Sequence, residues 1–186
     1  MDKKQFRKEL SVIYSNLDEK YMKKADGEIF ERLISFPEFK SAKRVFLYYS
    51  IERETDTQCL ISYCKEQRKP FALPRTYQRG IMDFCLLDGS FELVSAPPFG
   101  IPEPPREANV CVPTPEDVII IPAIAFDESF FRLGHGGGYY DRFLADSSAY
   151  SIGICREQFV FPSLPRGGHD IPVFALITET KIRLRN

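Results

Sequence analysis

The sequence predicts a single-domain, three-layer α/β/α sandwich with a mostly parallel central sheet, covering residues 1–186. Three observations lead there. Apolar residues recur with a helical period early in the chain, short apolar runs then alternate with helical stretches, and one run, Val118–Ile121, is apolar at every position. Strands interleaved with helices favour layered α/β architecture. A strand apolar on both faces suits the middle of a parallel sheet covered on both sides.

Residues 3–17 place Phe6, Leu10, Ile13, Tyr14 and Leu17 at spacings of three, four and seven, one face of an amphipathic helix with a basic opposite face. A second helix, with Met22, Ile29, Phe30, Leu33 and Ile34 as its stripe, runs to Pro37. The period then shortens. Residues 44–49 read as a buried strand, and residues 55–67 as a helix capped by Thr55 or Thr57. Further strands are expected at 71–74, 81–87, 118–121, 150–155 and 173–178, with a helix from near Gly138. Between Ser95 and Pro115, Pro97, Pro98, Pro102, Pro104, Pro105 and Pro113 are dense enough to predict a stiff loop without regular structure.

Composition narrows the function. With 44% hydrophobic and 27% charged residues, the 186-residue chain is ordinary for one globular domain. Its 25 Lys and Arg nearly cancel 26 Asp and Glu, which argues against nucleic acid or an anionic membrane as partner. The opening MDKKQFRKEL lacks the apolar core of a signal peptide, and no apolar run approaches the roughly 18 residues that span a bilayer, so a cytoplasmic location is expected. Cys59, Cys64, Cys85, Cys111 and Cys155 form no C-x-x-C pair and are expected to be free, buried thiols.

The chemistry concentrates in residues 132–141. Gly134, Gly136, Gly137 and Gly138 lie within five positions, after a strand and before an expected helix. Glycines let backbone approach a ligand and turn N–H groups toward it, and a helix start favours an anion, so phosphate is the natural guest. Arg132 offers a guanidinium to phosphate oxygens, and Asp141 a carboxylate to a Mg²⁺ that phosphates share. The dinucleotide fingerprint would need glycine at Tyr139, and a P-loop would need Lys-Ser/Thr where Tyr139 and Tyr140 stand. Lys3 and Arg7, four apart, share one helix face and could grip a phosphate chain. Glu54 follows a strand, where the ligand crevice of an open α/β sheet lies. His135 and His169 have no zinc-hydrolase spacing, and no G-x-S-x-G suggests a serine nucleophile.

Several short patterns recur in order: Lys3-x-x-x-Arg7, Glu54-Thr-Asp-Thr57, Pro74-Arg75, Met82-x-Phe84, Gly100-Ile-Pro-Glu-Pro104, Arg132-Leu-Gly-His-Gly-Gly-Gly-Tyr-Tyr-Asp141 and His169-Asp170. Together they resemble the 5-formyltetrahydrofolate cyclo-ligase family, also called methenyltetrahydrofolate synthetases, over nearly the whole chain. The resemblance implies ATP as cosubstrate, bound by Lys3, Arg7, Arg132, Leu133, Gly134, His135, Gly136, Gly137, Gly138, Tyr139 and Tyr140. It implies 5-formyltetrahydrofolate, with or without a polyglutamyl tail, near Tyr49, Glu54, Phe99, His135, Gly136, Gly137, Gly138 and Tyr139. Arg132 and Tyr139 are the implied catalytic residues, and Asp141 and Asp170 the implied Mg²⁺ ligands, in a monomer. His135 stands where relatives vary, and Gly137 where some carry lysine, so phosphate must here be met by backbone N–H, Lys3, Arg7 or Arg132. Two other readings share the loop: a non-catalytic nucleotide-sensing module, and an isomerase or transferase of a phosphorylated metabolite that needs no ATP.

Overall fold

Two amphipathic helices, each started by an aspartate, lead into the sheet. In α1 (Lys3–Ser15) the Asp2 carboxylate accepts from Gln5 N–H at 2.8 Å, and in α2 (Glu19–Ser35) Asp18 accepts from Tyr21 N–H at 2.9 Å. Both satisfy otherwise orphaned donors at the positive end of a helix. The structure, a computed structural model, describes residues 2–185 apart from 88, 90, 91 and 97–99, and the side chains of Arg79 and Ala96 also lie outside it. The order continues α3 (Pro37–Ser41), β1 (Val45–Phe46), α4 (Gln58–Glu66), β2 (Phe71–Thr76), β3 (Met82–Leu86), β4 (Val94–Ala96), β5 (Ile101–Glu103), β6 (Val118–Ile121), β7 (Ala125–Asp127) and β8 (Arg132–Leu133). Then follow α5 (Tyr139–Ala145), β9 (Tyr150–Ile154), β10 (Val160–Phe161), β11 (Ala175–Ile177) and β12 (Ile182–Leu184).

Among the described residues the main sheet has seven strands in the order β12-β11-β9-β6-β1-β2-β3. Every pairing from β11 to β2 is parallel, and only the edge strands β12 and β3 run antiparallel. The mostly parallel sheet of the sequence reading is thus present, with β6 fully buried at its centre. Val118 and Ile120 join Val45, Leu73, Ile152 and Ile177 on one face, against Ile29 and Leu33 of α2, Phe39 of α3 and Leu60 of α4. Ile119 and Ile121 join Phe46, Ala72 and Leu176 on the other, against Leu144 of α5 and Phe126 of β7.

That second face is covered in part by a small sheet, β10-β7-β8, rather than by helices alone. Leu10 of α1 packs with Ala125, Leu133, Phe159 and Leu164, so α1 backs the small sheet and never touches the main one through this cluster. Close approach of the two sheets depends on Gly153, because a Cβ there would collide with the ring of Phe126.

Two local expectations are corrected. The helix foreseen over 55–67 begins only at Gln58, and Thr57 does not cap it by side chain. Thr57 Oγ1 instead donates to Tyr48 O at 2.6 Å and accepts from Ser50 N–H at 3.1 Å, while Asp56 Oδ1 accepts from Gln58 N–H at 2.8 Å. The proline-rich stretch also contains a hairpin, β4 with β5, whose Ile101, Pro102 and Glu103 pair with Ala96, Ser95 and Val94. Proline is tolerated there because two paired strands are all edge. The five cysteines are free, four of them buried, and burial pushes the Cys64 thiol up to about 11. Among the described residues no helix is long and apolar enough to cross a membrane.

Gly153→Ala should destabilise the protein by about 1–3 kcal/mol, the usual cost of overfilling a packed core. At roughly 2–4 °C per kcal/mol for a domain of this size, thermal unfolding followed by circular dichroism reads the loss directly.

Candidate active site

Strand order reverses between β1 and β6, since the chain passes from β1 to β2 on one side and returns as β6 on the other. In open α/β sheets ligands bind outside the carboxyl ends of the strands at such a reversal. The segments leaving these two strands carry the residues picked out in the sequence. After β1 come Tyr49, half-buried, and a tight turn over residues 51–54, closed by Glu54 N–H donating to Ile51 O at 3.0 Å. Ile51 N–H donates back to Glu54 Oε2 at 3.1 Å, and Glu52 lies in the left-handed region at φ 47°. The other oxygen, Glu54 Oε1, sits 3.5 Å from His135 Nε2 in the glycine loop. The acid and the loop therefore meet at this end of the sheet, where a ligand crevice is expected.

The glycine loop is gripped by arginines from two directions. Arg7 Nε donates to Gly134 O at 2.7 Å, and Arg142 Nη1 donates to Gly137 O at 2.9 Å. Neutralising these carbonyls removes negative ends of peptide dipoles from the loop and favours an anion beside it. Glycine is required at two points. Gly136 has φ 103° with the Arg7 guanidinium lying on it, and Gly138 has φ 69° with room for a Cβ only 2.7 Å from Arg142 Nη1. Both conformations disfavour other residues. Tyr139 lays its ring against Gly137 and donates from its hydroxyl to Tyr77 O at 3.1 Å, tying the loop to the β2–β3 hairpin.

Beneath the loop the cations and acids are already paired. Arg132 Nη2 donates to Asp141 Oδ1 at 2.6 Å and Nη1 to Ile171 O at 2.9 Å, with its side chain only 4% exposed. Burial pulls the Arg132 pKa down against the opposing charges of Asp141 and Asp170. Lys3 Nζ donates to both oxygens of Asp170, at 2.6 and 2.5 Å, and Gly167 N–H donates to Asp170 Oδ2 at 2.6 Å. Burial works against ionising Asp170, but these donors and the Lys3 charge prevail and hold its carboxyl below the usual range.

Placement bears on several expected roles. Arg132, expected to meet phosphate, is locked under the loop where it orients Asp141. Leu133 is buried in the small sheet, and Tyr140 packs into both main hydrophobic clusters, so each has mainly backbone to offer a ligand. The helix after the loop, α5, has only seven residues. Of the two expected Mg²⁺ ligands, Asp170 has both oxygens engaged by Lys3 and Gly167 N–H, whereas the bonds to Asp141 from Arg132 and Ile171 N–H fall on Oδ1 alone. Phe99 lies outside the described residues. Sequence reading missed Arg142 and Tyr77, and it missed the buried pair of Arg156 and Asp26 behind Glu54. Arg156 follows an apolar strand run just as the residues before Glu54 do, which was the available signal.

A glycine loop with two of its carbonyls taken by arginines, meeting an acid at the reversal of an α/β sheet, has the features of a ligand-binding α/β enzyme. The model of the 5-formyltetrahydrofolate cyclo-ligase family matches residues 1–179, and the chain belongs to that family of ligases. It is 32% identical over 157 residues to 5-formyltetrahydrofolate cyclo-ligase from Escherichia coli (strain K12), covering 81% of this chain and 86% of that protein. The Haemophilus influenzae enzyme of the same name is 29% identical over 183 residues, covering 94% and 96%. The solution structure of Aquifex aeolicus 5,10-methenyltetrahydrofolate synthetase superposes with a TM-score of 0.87 at 33% identity, covering all of this chain and 93% of that one.

The Lys3–Asp170 pair gives a pH signature. Because the folded-state pKa of Asp170 is depressed, its contribution is present above the ordinary carboxylate value of about 3.9 and is lost as pH falls through the folded value. Asp170→Asn should therefore lower the urea midpoint at neutral pH, and the gap to the parent protein should narrow steadily below about pH 4. A gap independent of pH would remove the ion pair as its cause.

Proposed function

We propose that this chain uses ATP to convert 5-formyltetrahydrofolate into 5,10-methenyltetrahydrofolate, with ADP and phosphate as the other products. The observation that carries the reading is the crevice itself, where Glu54 faces the glycine loop at 3.5 Å across the point at which strand order reverses. Family membership supports both substrates.

A formamide carbonyl is a poor electrophile, which is why a phosphoryl group is needed. The formyl oxygen attacks the γ-phosphorus, and the bond from that phosphorus to ADP breaks. N10 then attacks the activated formyl carbon, the carbon–oxygen bond breaks to release phosphate, and N10 loses its proton as the methenyl bridge closes. No protein nucleophile takes part. The protein's contribution is alignment, exclusion of water and stabilisation of charge on the phosphoryl group in transit.

The residues divide accordingly. Arg7 reaches the loop from α1, and Lys3, paired with Asp170, comes from the same helix face; these two cations would meet phosphate together with the backbone of residues 134–138. Tyr139 closes the loop over the reacting centre. Glu54 accepts hydrogen bonds from the pterin, with Tyr49 and His135 flanking it. Arg132 acts one step back, through Asp141. Mg²⁺ in this reading arrives on the ATP phosphates, which, with water, are its usual partners. Asp141 could reach it through Oδ2 while Oδ1 keeps Arg132, whereas Asp170 would have to exchange Lys3 or Gly167 N–H. The same reading takes the chain as a monomer working in the cytoplasm on folates with or without polyglutamyl tails.

Mixing the pure protein with 5-formyltetrahydrofolate and MgATP should produce methenyl absorbance and ADP together, and neither when ATP is withheld. Product at an undiminished rate without nucleotide would overturn the mechanism. Tight ATP binding with no turnover would point instead to a sensing module.

The two halves of the crevice should also separate by mutation. Lys3→Ala and Arg7→Ala should weaken ATP more than folate, whereas Glu54→Gln should weaken folate and leave ATP affinity and melting temperature near those of the parent. Losing a hydrogen bond to a charged group costs about 1.5–3 kcal/mol, so each affected constant should change roughly ten- to a hundredfold. Separate titration of the two substrates decides it, and unchanged folate kinetics in Glu54→Gln would remove that residue from the site.

A further inference from the structure

Arg156, which follows β9, is 2% exposed and has no role in the chemistry above. Its guanidinium nonetheless makes four hydrogen bonds. Nε donates to Asp26 Oδ1 at 2.9 Å and Nη2 to Asp26 Oδ2 at 2.7 Å, a two-pronged pair with a carboxylate on α2. Nη1 donates to Arg53 O at 2.8 Å, and Nη2 donates also to Glu54 O at 3.1 Å. Asp26 Oδ2 in turn accepts from Asp56 N–H at 3.4 Å, so the pair holds the backbone on both sides of Glu54.

That backbone needs holding. The turn before Glu54 places Glu52 in the left-handed region at φ 47°, an arrangement that persists only where surrounding structure enforces it. Arg53 is anchored separately, its Nη1 donating to Leu17 O at 2.8 Å. Stability alone is a weak reason for the buried pair, since replacing such a pair with apolar residues of similar volume is often neutral or stabilising. Burial pushes the Asp26 carboxyl up, and only the Arg156 bonds and charge, with the Asp56 N–H, oppose it. What the guanidinium supplies that an apolar side chain could not is a set of donors aimed at the carbonyls of residues 53 and 54.

We propose that Arg156, oriented by Asp26, is a positioning residue that fixes the Glu54 carboxylate at the folate side of the crevice. This rests on the reading of Glu54 as the pterin-binding acid. Arg156 touches no substrate, and its effect passes through the backbone of the turn. Lysine cannot replace it, because a single ammonium cannot hold Asp26 on two prongs and also reach both carbonyls.

Two variants test this, Arg156→Lys and the paired Asp26→Leu/Arg156→Met, which removes both charges together and so leaves no unpaired ion in the core. Each is assayed for folate KM, kcat, ATP affinity and melting temperature, alone and combined with Glu54→Gln. Misplacing a binding group by about 1 Å can cost on the order of a hundredfold, so folate kcat/KM should fall by roughly tenfold or more, mainly through KM. ATP affinity should be unchanged. In the Glu54→Gln background the same substitutions should add little, because both act through one carboxylate. The proposal is overturned if folate and ATP constants worsen together, if the effects add in full with Glu54→Gln, or if the folded paired variant keeps parental folate KM. Loss of folding in both variants would make the pair structural and overturn it equally. A parent protein without turnover would instead sink the assigned reaction, which separates the two failures.

Discussion

A central strand with no polar side chain must be covered on both faces, and that requirement on Val118–Ile121 organises the molecule. Helices α2, α3 and α4 cover one face. The other is shared by α5 and a small sheet that enters the layer because Gly153 gives its Phe126 ring room. With both faces filled, ligand space remains only at the strand ends. The reversal of strand order then selects one end between β1 and β6, and the segments leaving those two strands carry Glu54 and the glycine loop. The crevice is thus a by-product of covering one strand.

Charge within the crevice is arranged in layers. Asp141 and Asp170 are each held by a cation, Arg132 and Lys3, and each also takes a backbone N–H. Arg7 and Arg142 bind loop carbonyls. Arranged this way, the acids orient cations, and the cations near the loop present a field suited to phosphate without a buried unpaired charge. Arg156 does for the turn of Glu54 what Arg142 does for the glycine loop, holding backbone carbonyls. Guanidinium suits this task because its flat fork can satisfy several fixed acceptors at once.

Much of this was legible in the sequence because the signals were strong and local. The fully apolar β6, the helical stripe around Leu10 and the clustered glycines each identify an element from its own residues. The short strands β7, β8 and β10 were not legible, since two- and three-residue elements have no period to detect and exist through pairing with one another. The β4–β5 hairpin was hidden for a different reason, as its prolines argue against any strand except an unshared edge. Thr57 misled because a threonine before a helix usually caps it, whereas here tertiary structure gives its hydroxyl better partners at Tyr48 and Ser50. At the candidate site, residue types singled out Lys3, Arg7, Glu54 and Asp170 as candidates. That Arg132 lies beneath the loop, and that Arg156 reaches the turn of Glu54, are facts of three-dimensional proximity that no spacing encodes.

The attachment of α1 also bears on the order in which the molecule can be assembled. Lys3 is joined to a residue 167 positions later, and Arg7 to one 127 positions later. Contacts of such long range are slow to form, and chains emerging from a ribosome fold progressively from their earlier segments. The cations of α1 are therefore made long before the partners that immobilise them, and the helix must wait, with its apolar stripe uncovered, until the small sheet exists to receive it. The contacts that tie α1 to the glycine loop and to Asp170 are therefore among the last a nascent molecule acquires, and an incomplete polypeptide could possess most of the main sheet and still lack them.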